Sequence, residues 1–480
     1  MKRISSLLLI FWGIVSSILS QETSIVIYST NDMHGSINNF AQIAKFIENE
    51  RNKYPHVLVL NGGDIFSGNP VVDQYPQQGK PMIELMNKTG YQYATFGNHE
   101  FDFGQKILKR CINKANFEWV CANMEVNPSV AIIKQPQPYK KLKLGDIEVC
   151  ILGLIETSKN NKGKSIPSAH PDYLEGISFT PPIETAIKYK RLRDECDLFV
   201  GLFHTGYDTD KEIAQLMSEL DVIIGGHTHT KINSTQLTNG VLITQTEDEL
   251  KYIGKTTITF NNKRIINKQF ELIKVEVDME ESRKINRMLQ QYHKEVPLEE
   301  TLAKATAQFN GKHPLGGLMC DAIINIYQTD FALQNSGGIR IGMLSKGDIK
   351  LADVYKLDPF NNNIVVYEMT PEHIRTLLKN SHQNGSQDID LIPGGMKYII
   401  HTHNGKAAHV TLTDINGKSL DENKYYKVGM NSYIASSYAF DKTLPHKKMS
   451  IKSSKALINY LKKQKEVIPH SVRWGLVIEE

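Results

Sequence analysis

Asn98, His99 and Asp102 follow a short apolar run, Tyr93-Ala94-Thr95-Phe96, that Gly97 breaks. A neutral oxygen, an imidazole and a carboxylate at one chain position can bind a metal or move a proton. The i, i+3 spacing of His99 and Asp102 lets the carboxylate orient the imidazole if a turn or helix starts there. Four other stretches end in the same way. Ile25–Tyr28 runs into Asp32 and His34, and Val57–Leu60 runs into Asn61-Gly62-Gly63-Asp64. Leu198–Phe203 delivers His204, and Val222–Ile224 delivers Gly225-Gly226-His227-Thr228-His229. Each has a bland reading by itself. Asp64 reads as a turn residue, His204 as a satisfied core histidine, and His227 and His229 as surface histidines in a glycine-rich turn. Together they form a mixed oxygen and imidazole set without a thiolate, which suits Zn²⁺ or Mn²⁺. Asp32, His34, Asp64, Asn98, His204, His227 and His229 exceed the needs of one tetrahedral ion. They suffice for two ions sharing a carboxylate, the usual arrangement for displacement at phosphorus.

Such donors need a scaffold that collects them. Short apolar runs without helical period read as buried strands, and α/β enzymes build their sites at the carboxyl edge of a sheet. Val149–Leu154, the alternating run Lys255–Phe260 and the run Phe270–Ile273 fit a second sheet, the last two as antiparallel strands closing the domain. Glu156, after the first of these, carries no assigned role. Val277 to Glu300 is dense in charge, with Ile285, Met288 and Leu289 at helical spacing, and reads as a solvated linker helix. A second unit opens near Thr301. Gly316 to Ile324 reads as a buried helix after a glycine start. Thr370-Pro371-Glu372 is a capped helix start. Phe331–Gln334 is strand-like and leads to Asn335 and Arg340, a forked cation. Tyr426–Met430 leads to Tyr433, and Phe360 stands alone in a polar turn.

The motifs Asn31-Asp32-Met33-His34-Gly35, Gly62-Gly63-Asp64, Gly97-Asn98-His99-Glu100-Phe101-Asp102, His204-Thr205-Gly206 and Gly226-His227-Thr228-His229 occur in the order found in the calcineurin-like metallophosphoesterases. The chain most resembles their secreted 5′-nucleotidase branch. The resemblance implies a four-layer α/β/β/α sandwich, followed by a smaller α/β substrate-binding domain. It implies one metal on Asp32, His34, Asp64 and His229, and another on Asp64, Asn98, His204 and His227, with Asp64 as the bridge. Some members carry glutamine or asparagine where this chain has His229. His99 and Asp102 match the family's catalytic dyad. In the second domain, Asn335 and Arg340 match residues that contact base or phosphate, and Phe360 and Tyr433 match an aromatic pair that sandwiches the base. Stacking suits any nucleobase. A plain core role for Phe360 or Tyr433 is equally compatible with the sequence. The chain departs from the family after the second aromatic, where Ser436-Ser437-Tyr438-Ala439-Phe440-Asp441 replaces a Gly-Gly-Asp-Gly run. Asp441 is the candidate substitute.

The resulting division is a signal peptide at 1–20, a catalytic domain at 21–276, a linker helix at 277–300 and a substrate-binding domain at 301–480. Lys2 and Arg3 precede a short apolar run, as in an export signal. The run falls short of the ~20 residues of a membrane span, so the expectation is an exported protein, periplasmic or extracellular, without a stable anchor. A length of 480 residues and 40% hydrophobic content allow two sizeable cores. A net charge of +4 without a basic stripe is too weak to imply a nucleic acid polymer as partner, and none is expected. None of the five cysteines has metal-site spacing. Cys111 and Cys121 could bridge in an oxidising compartment, or all could be buried hydrophobes. The expected activity is hydrolysis of nucleoside 5′-monophosphates with two divalent ions. Alternatives on the same centre are a 2′,3′-cyclic phosphodiesterase with 3′-nucleotidase activity and a nucleotide-sugar hydrolase. A secreted nucleotide-binding protein without activity would need a missing ligand, and none is missing.

Overall fold

In the computed structural model, which describes residues 22–160, 163–470 and 474–480, both faces of the first strand are buried. Glu22–Thr30 alternates side chains across the sheet. Ile25 and Ile27 join one apolar cluster, while Val26 and Tyr28 join another. The strand is therefore central. Val57–Asn61, Tyr93–Thr95 and Glu118–Val120 extend it as a parallel series. Tyr252–Asn261 pairs with its other edge in antiparallel register and turns back as Arg264–Lys274. The turn residues Asn262 and Lys263 both have positive φ, as a tight hairpin of this hand requires. The strands around Lys255–Phe260 and Phe270–Ile273 thus belong to the first sheet, not the second. The alternation that marks them as half-exposed suits the outer edge of either sheet, so pattern alone did not choose.

The second sheet runs Leu237–Thr238, Val241–Thr244, Val222–Ile224, Leu198–His204, Ile147–Ile155 and Tyr139–Leu144. Its Val149, Phe199 and Val222 share a buried cluster with Ile25, Ile27, Leu58 and Leu60 of the first sheet. Helices Phe40–Lys53 and Lys80–Thr89 cover the other face of the first sheet through Ile43, Ile47, Ile83 and Met86. Helix Tyr207–Leu216 adds Ile213 and Ala214 to the cluster of the second. The result is the four-layer α/β/β/α arrangement.

Helix Arg283–Glu295 is capped by Ser282, whose hydroxyl accepts from the Ile285 N–H. Ile285, Leu289 and Tyr292 are buried in the first core, so the helix packs on that core rather than standing free in solvent. The i, i+4, i+7 spacing gives one apolar stripe while the charges face outward. Beyond it a five-stranded sheet orders Leu391–Gly394, Phe331–Asn335, Tyr426–Asn431, Asn363–Met369 and His446–Lys452. Helix Lys312–Tyr327 contains Gly316 and Gly317 rather than starting after them. A Cβ on Gly316 would come within 3.0 Å of Ile339 and Ile392, so the glycine permits close packing. Strands Phe331–Asn335 and Tyr426–Asn431 run parallel, and both end at the same edge of the sheet. Asn431 caps the short helix Ser432–Ser437, which carries Tyr433.

The expected signal peptide lies outside the described residues. Among the described residues no helix is long and apolar enough to cross a membrane. Cys111, Cys121, Cys150, Cys196 and Cys320 are all free, and burial pushes the thiols of Cys111 and Cys121 up to about 12. The two behave as buried hydrophobes and do not bridge.

Candidate metal and nucleotide site

Five of the seven donor residues hold a left-handed backbone: Asp32 (φ 47°), His34 (46°), Asp64 (54°), His227 (80°) and His229 (51°). Non-glycine residues rarely adopt it, and strain of this kind concentrates where function requires a side chain to be aimed. Two sheets contribute. Asp32, His34, Asp64 and Asn98 follow strands of the first, and His204, His227 and His229 follow strands of the second.

Two groups result. Asp32, His34 and His229 place one ligand atom each within 4.8 Å of one another, and so do Asp64, His204 and His227. Asp64 Oδ2 lies 3.1 Å from His204 Nε2 and 4.0 Å from His34 Nε2, between the groups. His229 Nε2 lies 3.3 Å from Asp32 Oδ1 and 3.0 Å from His34 Nε2. Asn98 Oδ1 faces His227 Nδ1 at 3.2 Å. All seven residues therefore gather at one place.

The far side of three of the four imidazoles is held. His34 Nδ1 pairs with the Ser67 carbonyl at 3.1 Å, and His204 Nδ1 with the Gly62 carbonyl at 2.8 Å. His229 Nδ1 pairs with Asp248 at 3.0 Å. Such contacts leave Nε2 aimed inward and are the usual support of a metal ligand. Burial, then the charge of His99, pushes His34 down to about 4. Burial, then the charge of His204, does the same for His227. Both are neutral and offer lone pairs. Burial alone would lower His204 and His229, but the carboxylates facing them raise both to about 10. The same carboxylate charge that draws protons to these rings would hold a metal cation there instead. His204 Nε2 is buried yet makes no hydrogen bond, although it faces Asp64. The donor set and this unbonded nitrogen fit a divalent metal.

His99 forms the next layer. Its Nδ1 is 2.6 Å from Asp102 Oδ2, within a short 3₁₀ turn, Asn98–Phe101. Its backbone N–H donates to Asp64 Oδ1 at 2.8 Å. Burial works against a proton on this ring, but Asp102 and Asp64 raise its pKa overall.

A cavity of about 350 Å³ opens from Asp64, Asn98, His99 and Asp102 to Asn335, Arg340, Phe360 and Tyr433. The rings of Phe360 and His99 lie nearly parallel, centroids 5.9 Å apart. The Arg340 guanidinium carbon is 5.7 Å from the Phe360 centroid. Asn335 Oδ1 accepts from Asn431 Nδ2 at 2.8 Å. Asp441 does not reach this cavity. It is exposed and accepts from the N–H and hydroxyl of Thr443.

Several supporting residues escaped the sequence reading. Glu100 accepts from the N–H groups of Asp64, Ile65 and Gly97, tying two ligand loops together. Its place in the motif was visible, but its partners were not. Asp248 supports His229 and has no motif around it. Ser168, Ala169, His170 and Tyr173 line the cavity from an irregular segment. Glu156 holds that segment by accepting from the Ser168 N–H. His170 reaches across to the Ser432 hydroxyl at 3.1 Å and so joins the two halves of the chain.

Comparison with known proteins identifies the two domains that build this cavity. Residues 25–231 match the calcineurin-like phosphoesterase family, and residues 292–439 match the 5′-nucleotidase C-terminal domain. The class is thus a metallophosphoesterase domain joined to a nucleotidase C-terminal domain, with divalent metal as cofactor. The chain is similar to 5′-nucleotidases over most of its length. It is 25% identical over 472 residues to the trifunctional nucleotide phosphoesterase protein YfkN of Bacillus subtilis, covering 85% of this chain and 32% of that protein. It is 26% identical over 379 residues to the 5′-nucleotidase of Vibrio cholerae, covering 66% of each. The chain therefore spans about a third of the first relative and just under two thirds of the second. The crystal structure of a 5′-nucleotidase precursor from Thermus thermophilus superposes with a TM-score of 0.79 at 24% identity, covering 95% of this chain and all of that one.

Proposed function

We propose that this chain hydrolyses nucleoside 5′-monophosphates to nucleoside and phosphate at a dinuclear metal centre. The observation that carries the reading is the single cavity that joins the His99–Asp102 dyad and the Asp64 cluster to Arg340, Phe360 and Tyr433. Its size lies at the lower end of small-molecule sites. Asp32, His34 and His229 would hold one divalent ion, Asn98, His204 and His227 the other, and Asp64 both. Bound there, the ions supply Lewis-acid charge to the phosphoryl oxygens and lower the pKa of water.

The chain's own residues account for the rest. Phe360 and Tyr433 stack the base. Arg340 and Asn335 bind phosphate or base polar groups. Water oxygen forms its bond to phosphorus as the bond to the ribose oxygen breaks, and charge spreads over the phosphoryl and leaving oxygens. His99, oriented by Asp102, presents Nε2 to that charge. It stabilises the developing charge or gives its proton to the departing oxygen.

The test is phosphate release by the purified protein, with and without Mn²⁺ or Zn²⁺, from AMP, UMP, 3′-AMP, 2′,3′-cyclic AMP, UDP-glucose and p-nitrophenyl phosphate. Preference for 5′-monophosphates, abolished by chelation, is the expected result. Release from cyclic or 3′ substrates alone would overturn the specificity and keep the centre. No release with metal bound would leave a nucleotide-binding protein.

A further inference from the structure

We propose that the second half of the chain carries a metal site of its own, in which His401, His409 and Glu480 bind one divalent transition-metal ion. It lies on the three-stranded sheet formed by Lys406–Asp414, Met396–His403 and Gly475–Glu479. It is independent of the proposed hydrolysis.

His401 and His409 are register partners across the antiparallel pair Met396–His403 and Lys406–Asp414. Directly opposed side chains share one face of a sheet. Here the two imidazoles are stacked, with centroids 4.1 Å apart and planes 5° from parallel. Glu480 follows the strand Gly475–Glu479, which runs parallel to Met396–His403. Its backbone N–H donates to the Thr402 carbonyl at 2.9 Å, which fixes the residue beside the histidine pair. Its Oε1 is then 2.6 Å from His401 Nδ1. One nitrogen of each ring and one carboxylate oxygen all lie within 4.8 Å of one another.

Chemistry selects the ligand. Protonating both stacked rings would set two like charges against each other, whereas two neutral rings leave their nitrogens within reach of one ion once the exposed His409 ring turns out of the stack. Two imidazoles and a carboxylate suit Zn²⁺, Ni²⁺ or Cu²⁺, and leave positions for water because His409 and Glu480 are exposed. His401 Nε2 meets the Thr411 hydroxyl at 3.3 Å, which favours Nδ1 as its ligand atom. His403 Nδ1 pairs with the Glu480 carbonyl at 3.2 Å and steadies the same residue. An ion here would join all three strands, one ligand from each or from just beyond it.

The experiment compares the whole protein with His409→Ala and Glu480→Gln. Each is equilibrated with excess Zn²⁺ and desalted, and zinc per chain is measured by atomic emission. The wild type is expected to retain about one zinc per chain more than either variant, with phosphate release equal in all three. Equal zinc content would overturn the proposal. A second measurement avoids any folding change. Histidine modification by diethyl pyrocarbonate is mapped on the wild type by mass spectrometry with and without Zn²⁺. Protection of His401 and His409 is expected, and no protection would also overturn the site.

Discussion

At the scale of single residues, the proposed roles of His99 and Asp102 can be separated from those of the proposed metal ligands by experiment. His99 takes its orientation from Asp102, and its contact with Asp64 is made by the backbone N–H, which any residue supplies. His99→Ala should therefore lower kcat by about 10²–10⁴ while metal content, read by atomic emission, stays at the wild-type value. Loss of metal would reassign His99 as a ligand. Asp358 offers a pH effect away from the metals. It is 3% exposed, and burial pushes its carboxyl up from 3.8 to about 6. Below pH 3.8 both folded and unfolded chains hold this proton. Between the two values the unfolded chain ionises while the folded chain does not, so stability falls as pH rises. Above about pH 6 the cost is complete, about 3 kcal/mol. Asp358→Asn removes the proton equilibrium. Denaturant titrations should show a gain over wild type that grows from pH 4 to pH 6 and is then constant.

At the scale of elements, the ligand loops are held by contacts that leave no spare room. Gly97 has ordinary extended dihedrals, so its role is space rather than conformational freedom. A Cβ there would lie 2.1 Å from Asp64 Oδ1 and 2.6 Å from the Asp64 nitrogen. Gly97→Ala must displace the carboxylate shared by both donor groups. The expected outcome is loss of bound metal and a fall in turnover of roughly 10² or more, as for displacements of about 1 Å at a reacting centre. Full metal content in that variant would show that the loop yields elsewhere. The strand ends themselves were readable, because each apolar run stops at a polar donor. The supports were not. Glu100 acts on Asp64 from 36 residues away, and Asp248 acts on His229 from outside any motif.

At the scale of the whole molecule, the cavity is built by both halves, and its two ends should fail differently. Tyr433 touches the first half through His170, whose ring centroid is 6.2 Å away. Phe360 also lies against His99, so Tyr433 is the cleaner probe of base stacking. Loss of one stacking ring is worth about 1–3 kcal/mol. Tyr433→Ala should therefore raise KM for AMP by roughly 10–100-fold and leave hydrolysis of p-nitrophenyl phosphate near wild type. Equal losses on both substrates would place Tyr433 in the support of the centre rather than in base recognition.

The sequence by itself determined the donor types, their order and the strand ends that carry them, because these are local patterns of burial and turn chemistry. It also determined the amphipathic helix Arg283–Glu295, but not the core that its stripe covers. Tertiary structure decided which sheet each strand joins, since an alternating run such as Lys255–Phe260 satisfies either edge. It decided that Cys111 and Cys121 stay apart and that Asp441 turns to Thr443 rather than to the cavity. It decided the left-handed backbone at Asp32, His34, Asp64, His227 and His229, a strain that only the surrounding contacts can hold. Distances between residues far apart in the chain are set by packing, and no local pattern encodes them.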